Sequence, residues 1–241
     1  MHAGMHDARS THQEIFVSNF LNSPGPKSHI HQAWPLVIFF SSMIGESFVW
    51  ASNPLNKIEY AIWGASAYLI AVLLHTMAYR NRSPPKLGDF SLVQKIHNLI
   101  LSAGSLFVFN MCLMEVVRRS QQEQSYTWLL CEHESNRVEG SLWFWSFVYY
   151  LSKYYELFDT VLQLAQGKIP PNYFLHVYHH FCVIFMGWVW VQSGASIQFI
   201  GLLFNCFVHV VMYYYFYLKS IGVNPWWKKW GESCPCHRHC L

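Results

Sequence analysis

The sequence predicts an all-α, polytopic membrane protein, and three observations support that fold class. Of its 241 residues, 53% are hydrophobic and only 12% are charged, which is too apolar a balance for an ordinary soluble domain. Apolar windows of about 20 residues, the length that crosses a bilayer as a helix, recur along the chain. Turn segments such as "NRSPPKLGD" and "GKIPPN" separate these windows. We therefore expect one bundle of membrane helices.

Five windows have the length and apolarity of membrane spans, at 60–79, 93–117, 141–163, 173–192 and 196–218. A sixth candidate at 34–51 is shorter and contains Glu46. It is interpreted either as a further span or as a helix lying in the membrane interface, with its Trp residues at headgroup level.

The windows divide the chain into three parts. Residues 1–57 form a mostly polar N-terminal segment without the features of a cleavable signal peptide, and 58–230 form the membrane domain. Residues 231–241 are a divergent tail rich in Cys and His. The tail could bind zinc, although it lacks the paired CxxC spacing of structural zinc sites.

Basic residues are distributed unevenly between the loops. If the five spans alternate in direction, one side of the membrane has seven Lys or Arg residues in its loops and the other side has three. By the positive-inside rule, the side with seven faces the cytosol. The amino terminus then lies outside or in a lumen, unless 34–51 also crosses.

The first polar group within a span is "KYYELFDT", residues 153–160. On a helix, Lys153, Glu156, Asp159 and Thr160 fall within an arc of about 120°. An ionised group at membrane depth costs on the order of 2.5–3.5 kcal/mol, so three of them in seven residues are expected to face an interior site. The alternative is a Lys–Glu pair that locks this helix to a neighbour.

The second polar group is "LHVYHH", which begins at residue 175. His176, His179 and His180 share an arc of about 100° on a helix. This spacing suits metal ligands, an acid–base set, or a nucleophile with its base. The alternative is three histidines that are packed and hydrogen-bonded as core residues.

The third polar group is "NCFVHVVMYYYFY", residues 205–217. Asn205, His209 and Tyr213 recur at four-residue intervals and therefore share one helix face. The later tyrosines fit an aromatic belt at the membrane interface. Polar faces on three spans converge only toward a shared interior, so the sequence predicts a polar chamber within the membrane.

This chamber could hold either a metal centre or a nucleophilic site. Membrane di-iron oxygenases also use an HxxHH box, but with a larger set of histidine ligands than the interior here offers. His75 and His97 are expected to be isolated on other spans, and Lys153 is an unfavourable neighbour for a cation. Neutral imidazole acting as nucleophile or base, with Asn205 and Lys153 as donors to a developing oxyanion, suits acyl transfer instead.

Taken together, the motifs resemble the ELO family of very-long-chain fatty acid elongases, the membrane 3-ketoacyl-CoA synthases. The resemblance covers about residues 58–230 and follows family order, from "NRSPPKL" and "HNL" through "KYYELFDT" and "FLHVYHH" to "NCFVHVVMYYYFY" and "GVNPWWKKW". It implies condensation of a long-chain acyl-CoA with malonyl-CoA at the endoplasmic reticulum, in a helical barrel around an acyl tunnel.

The resemblance also implies residue roles. His179 matches the residue that accepts the acyl group as an acyl-imidazole, His180 and His209 would transfer protons and stabilise intermediates, and His176 would orient the rings. Substrate-binding roles fall to polar residues of the first and third groups, namely Lys153, Glu156, Asp159, Asn205 and Tyr213. The expected partners are the bilayer, acyl-CoA and malonyl-CoA, and further elongation-cycle enzymes or a second copy of the chain. No metal, other cofactor or nucleic acid is expected.

The chain departs from the family pattern after "WWKKW", where two further spans would follow and "GESCPCHRHCL" stands instead. The sequence therefore suggests a truncated form, whose alternative function is that of a noncatalytic membrane partner of elongases.

The sequence does not specify the preferred length of the acyl chain. Pro171 occupies a position where many members acting on polyunsaturated substrates have Gln, which weakens that substrate assignment.

Overall fold

The computed structural model describes residues 47–80, 85–130, 138–170 and 172–226. Its α-helices are α1 (Ile58–Ala78), α2 (Ser91–Gln122), α3 (Ser141–Glu156), α4 (Phe158–Ala165), α5 (Tyr173–Ser193) and α6 (Gln198–Ser220). Short 3₁₀ turns precede α1 and α3. The described residues contain no β-strand, only an isolated bridge between Val49 and Glu139. The all-α prediction is confirmed.

Four of these helices, α1, α2, α5 and α6, are long and apolar enough to cross a membrane. They coincide with four of the predicted spans. Their outer faces carry exposed large apolar side chains, including Trp63 and Met77 of α1 and Phe204 of α6. Contiguous apolar exposure of this kind suits contact with lipid. The chain is therefore a multi-pass helical membrane protein.

The fifth predicted span, 141–163, is not one helix. Leu157 interrupts it, giving α3 and the shorter α4. At the interruption the Leu157 amide donates to the Tyr154 carbonyl at 3.3 Å, a tightened 3₁₀-type bond. The break separates Glu156 from Asp159, whose carboxylates bind different partners. The predicted span is thus divided by a one-residue turn, at which the Leu157 backbone keeps helical angles of φ −59° and ψ −24°.

Together α3 and α4 nevertheless run from one end of the bundle to the other. At one end, the Leu87 amide donates to the Ala165 carbonyl at 2.9 Å, joining the α1–α2 loop to the end of α4. At the other end, the Gly140 amide donates to the Phe48 carbonyl at 2.9 Å. The 25 residues from 141 to 165 correspond to about 37 Å of helix, enough for a hydrocarbon core of about 30 Å.

The candidate span at 34–51 is described only at its end. There the Trp50 amide donates to the Val138 carbonyl at 3.0 Å, and the Trp50 indole donates to Gln192 Oε1 at 2.9 Å. This end is a bridge followed by a 3₁₀ turn rather than part of a membrane helix. Residues 34–46 and the tail 231–241 lie outside the described residues.

Close helix approach depends on glycine where α5 meets α3. A Cβ at Gly187 would lie 3.0 Å from Tyr150 Cδ2 and 3.5 Å from Tyr150 Cα, and Tyr150 is fully buried. Membrane helices commonly use small residues in this way to bring backbones together. The α3–α5 contact in turn sets the distance between the two helices that carry Lys153 and the histidines.

We expect Gly187→Ile to lower the thermal stability of the purified protein in detergent, because the added carbons overlap the Tyr150 side chain. Overpacking of this kind costs about 1–3 kcal/mol. The matched control is Gly104→Ala on α2, where an added Cβ meets nothing within 4 Å. Melting followed by loss of helical circular dichroism measures both variants, and equal melting temperatures would contradict the packing argument.

Candidate active site

The first predicted group forms a buried ion pair within α3, and residues of α6 contact this pair. Lys153 is 1% exposed and donates from Nζ to Glu156 Oε1 at 2.7 Å and to Asn205 Oδ1 at 2.9 Å. Its ammonium also lies 4.1 Å from the centre of the Tyr149 ring. His209 Nδ1 approaches Glu156 Oε1 to 3.4 Å. Two charges at membrane depth are thus paired with each other and with polar groups of a second helix.

One oxygen of this cluster is unused. Glu156 Oε2 is buried and has no hydrogen-bond partner among the described residues. A buried acceptor without a partner is costly in a structural ion pair but ordinary where a substrate or a water completes the site. The simple helix-locking interpretation therefore leaves one atom unexplained.

Asp159 does not join Lys153 and Glu156, although helical spacing placed all three on one face. It instead accepts from Tyr213 at 2.5 Å and lies 2.9 Å from His97 Nε2. The expectation that His97 is isolated was wrong, because this side chain is 4% exposed and pairs with Asp159 across two helices. His75, by contrast, contacts the neighbouring Tyr79 ring.

The histidine group lies on α5. His176 and His180 have ring centroids 4.5 Å apart, and those of His179 and His180 are 5.7 Å apart. His180 is 5% exposed, and its Nδ1 has no partner among the described residues. His179 is exposed, yet it is near enough to Glu156 and His209 to interact with them electrostatically.

The structure thus brings the predicted groups together, as convergence of three polar faces required. It divides them into two parts: an ion-pair part with Lys153, Glu156, Asn205 and His209, and an α5 part with the three histidines. Asp159 and Tyr213 form a third contact beside His209, whose ring centroid is 5.3 Å from that of Tyr213.

Three participants were not predicted as site residues. Tyr149 precedes Lys153 by four residues, so helical spacing alone could have placed its ring against the ammonium. Tyr68 reaches the site from α1, where no local sequence signal indicates its partner. His97 reaches it from α2, where the "HNL" motif marks the residue but not its partner. The Tyr68 hydroxyl lies 2.9 Å from Thr160 Oγ1, which is itself 3.0 Å from His176 Nε2.

A cavity of about 390 Å³ lies between α2, α3 and α6 beside the ion pair. Most of its wall is apolar, with Leu101, Val108 and Val148 among the lining residues. Its polar lining residues include Lys153, Asn205 and His209. A cavity with an apolar wall and a few convergent polar groups suits a ligand with a long hydrocarbon part and a polar end.

The donor set favours acid–base and acyl-transfer chemistry. The site offers several imidazoles, the Lys153 ammonium and the Asn205 amide, which are the parts needed for a nucleophile, its base and oxyanion donors. Within the described ranges, no group of three or more His, Cys, Asp or Glu side chains is arranged to hold a metal ion.

The fold and site define a class of protein: a multi-pass helical membrane protein with clustered histidines and a buried ion pair at bilayer depth. Residues 53–231 match the GNS1/SUR4 (ELO) family. Because this match covers well over half of the chain, the protein belongs to that family.

Individual relatives agree with the family match. A putative fatty acid elongase of Dictyostelium discoideum is 35% identical over 183 residues, which are 76% of this chain and 60% of the relative. Fatty acid elongase A of the same organism is 31% identical over 78% of this chain and 67% of its own length.

A vertebrate relative extends the comparison. Very long chain fatty acid elongase 5 of Tachysurus fulvidraco is 32% identical over 74% of this chain and 58% of its own length. The chain therefore spans about three fifths to two thirds of the curated relatives described here. No solved structure matches the chain.

Proposed function

We propose that the chain carries the catalytic centre for the condensing step of fatty acid elongation. In this reaction a long-chain acyl-CoA and malonyl-CoA give 3-ketoacyl-CoA, carbon dioxide and free CoA. The observation that carries the proposal is the position of Lys153, Asn205 and His209 at the polar part of a largely apolar cavity, close to the α5 histidines. Membership of a family whose relatives are named as fatty acid elongases supports the same reaction.

The first half-reaction is acyl transfer to His179. A neutral imidazole nitrogen attacks the thioester carbonyl, the carbon–sulfur bond breaks, and CoA leaves with a proton as its thiol. His179 suits this role because it is the most accessible of the three α5 histidines and interacts with Glu156, Lys153 and His209. The Lys153 ammonium and Asn205 provide donors for the carbonyl oxygen as it gains negative charge.

The second half-reaction forms the carbon–carbon bond. Loss of carbon dioxide from malonyl-CoA leaves a carbanion equivalent at its C2, which attacks the acyl carbonyl and releases the imidazole. The product is 3-ketoacyl-CoA, and no cofactor is needed to balance the atoms or electrons. We assign proton transfer to His180 and His209. We assign positioning of the donors and of the second substrate to Glu156, which contacts His209, and to the Tyr213–Asp159 pair.

The apolar cavity suits the hydrocarbon chain of the acyl-CoA, and the exposed apolar helix faces suit a lipid environment. We place the reaction at the endoplasmic reticulum membrane, with the α1–α2 loop and the end of α4 facing the cytosol. The basic residues of the loops at that end, Arg80, Lys86 and Lys168, support this orientation.

The test is incubation of the purified chain with radiolabelled malonyl-CoA and a panel of saturated and unsaturated acyl-CoAs. We expect label in 3-ketoacyl-CoA and one molecule of carbon dioxide released for each product formed. A well-folded sample that releases no carbon dioxide with any acyl-CoA would contradict the proposal. Co-purification of such an inactive chain with a full-length elongase would indicate the noncatalytic partner role instead.

A further inference from the structure

We propose that Tyr68 and Thr160 fix the tautomer of His176. Tyr68, Thr160 and His176 then act as positioning residues for His179 and His180. These three residues form a hydrogen-bonded relay that joins three helices. The Tyr68 hydroxyl on α1 lies 2.9 Å from Thr160 Oγ1 on α4, and Thr160 Oγ1 lies 3.0 Å from His176 Nε2 on α5. Tyr68 is 6% exposed and Thr160 is fully buried, so solvent does not substitute for either bond.

The direction of the relay follows from the proton of Thr160. A threonine hydroxyl has one proton to donate and two lone pairs to accept. Within helices this proton often goes to the carbonyl four residues earlier, as Thr76 donates to the Val72 carbonyl at 2.8 Å. Thr160 makes no such backbone bond within the described ranges, so its proton goes to Tyr68 or to His176.

Donation from Thr160 to Tyr68 would leave the phenol proton without an acceptor, because Tyr68 has no other hydrogen-bond partner among the described residues. An unsatisfied donor at a buried position is costly. The opposite direction satisfies both hydroxyl groups and His176 Nε2: Tyr68 donates to Thr160, and Thr160 donates to His176 Nε2. A neutral His176 ring then carries its proton on Nδ1.

This assignment distinguishes the three α5 histidines. The Nε2 lone pair of His176 is engaged by Thr160, so it is not free to attack a carbonyl carbon. The fixed His176 ring packs against His180, with centroids 4.5 Å apart and an interplanar angle of 61°, and His180 contacts His179. Tyr68 also reaches His180 directly, with ring centroids 6.3 Å apart. The relay therefore contacts the rings of His176 and His180.

The direct test is the protonation state of His176 in the whole chain, labelled with ¹⁵N-histidine and purified in detergent micelles. Long-range ¹H–¹⁵N correlations distinguish a protonated from an unprotonated ring nitrogen, and His176→Gln assigns the signals. We expect protonated Nδ1 and unprotonated Nε2 in the unmodified protein. A protonated Nε2 in a neutral ring would overturn the proposal without any variant being needed.

Variants then test each member of the relay. Thr160→Val removes the donor to Nε2, and we expect a mixture of His176 tautomers, whereas Thr160→Ser keeps the hydroxyl and the single tautomer. Tyr68→Phe removes the group that orients Thr160 and should also give a mixture. The matched control is Tyr60→Phe, a tyrosine on the same helix whose ring lies against Trp63. A His176 signal that is unchanged in Tyr68→Phe would exclude Tyr68 from the relay.

The catalytic consequence rests on the proposed function, but the tautomer measurement does not. In the condensation assay we expect Tyr68→Phe to lower kcat about tenfold with little change in KM, the size of effect that one orienting hydrogen bond supplies. Thr160→Ser should retain most of the activity. If the chain proves inactive, the spectra still decide the relay. If the tautomer is as expected but kcat is unchanged in Tyr68→Phe, its positioning role is excluded.

Discussion

Replacing His179 with alanine is expected to lower the rate of condensation by about 10³-fold or more while leaving the helical fold intact. The substitution removes the nitrogen that would bond to the acyl carbon, and loss of a reacting group commonly costs at least that much. Its fold should survive because His179 is exposed and makes no ion pair within the described part of the chain. The measurement is transfer of label from malonyl-CoA into 3-ketoacyl-CoA.

The matched control for His179→Ala is His75→Ala. His75 also lies on an apolar helix, but it contacts Tyr79 instead of the clustered histidines. We expect this control to keep near-normal turnover. A second readout is covalent capture: acyl-CoA without malonyl-CoA should leave an acyl group on the unmodified protein and none on His179→Ala. Equal acylation of the two proteins would exclude His179 as the nucleophile.

Replacing Lys153 with methionine is expected to destabilise the protein strongly and to stop turnover. The change removes the cation that neutralises Glu156, which is 2% exposed, and leaves that carboxylate buried. Breaking a buried ion pair by removing one partner costs about 3–5 kcal/mol. Unfolding of the purified protein in a denaturing detergent, followed by helical circular dichroism, measures the loss.

Two further variants show whether the loss comes from the unpaired charge. The double variant Lys153→Met with Glu156→Gln removes both charges and should recover much of the lost stability, although not the activity. Lys168→Met removes a lysine at an exposed position, where it bonds to Gln166, and should unfold like the original chain. If Lys153→Met is no less stable than the double variant, the unpaired carboxylate is not the cause.

The apolar windows predicted the fold class because a bilayer restricts the backbone structures that can cross it. A segment that enters the hydrocarbon must satisfy its backbone within itself, so long apolar runs become helices whatever surrounds them. Four predicted spans are continuous helices for this reason. The fifth window is also apolar, but it contains ionisable residues on both sides of Leu157. Glu156 pairs with Lys153 before it, and Asp159 pairs with His97 after it.

The width of the predicted polar face explains the principal error at the site. Helical spacing spread Lys153, Glu156 and Asp159 over an arc of about 120°, which is wide enough to face two sets of partners. At one edge of that arc Asp159 binds His97 and Tyr213, whereas Glu156 stays with Lys153 and His209. The Lys153–Glu156 pair is the one that the sequence offered as an alternative, whereas the partners of Asp159 were not predicted.

By itself, the sequence determined that this is an all-α membrane protein with polar faces on three spans and, through its ordered motifs, the family to which it belongs. These properties follow from local composition and spacing. The tertiary structure alone decided that Asp159 pairs with His97, that Tyr68 reaches His176 through Thr160, and that His179 is exposed while His180 is buried. These contacts join residues on different helices, and their geometry depends on how the helices pack, which no local pattern encodes.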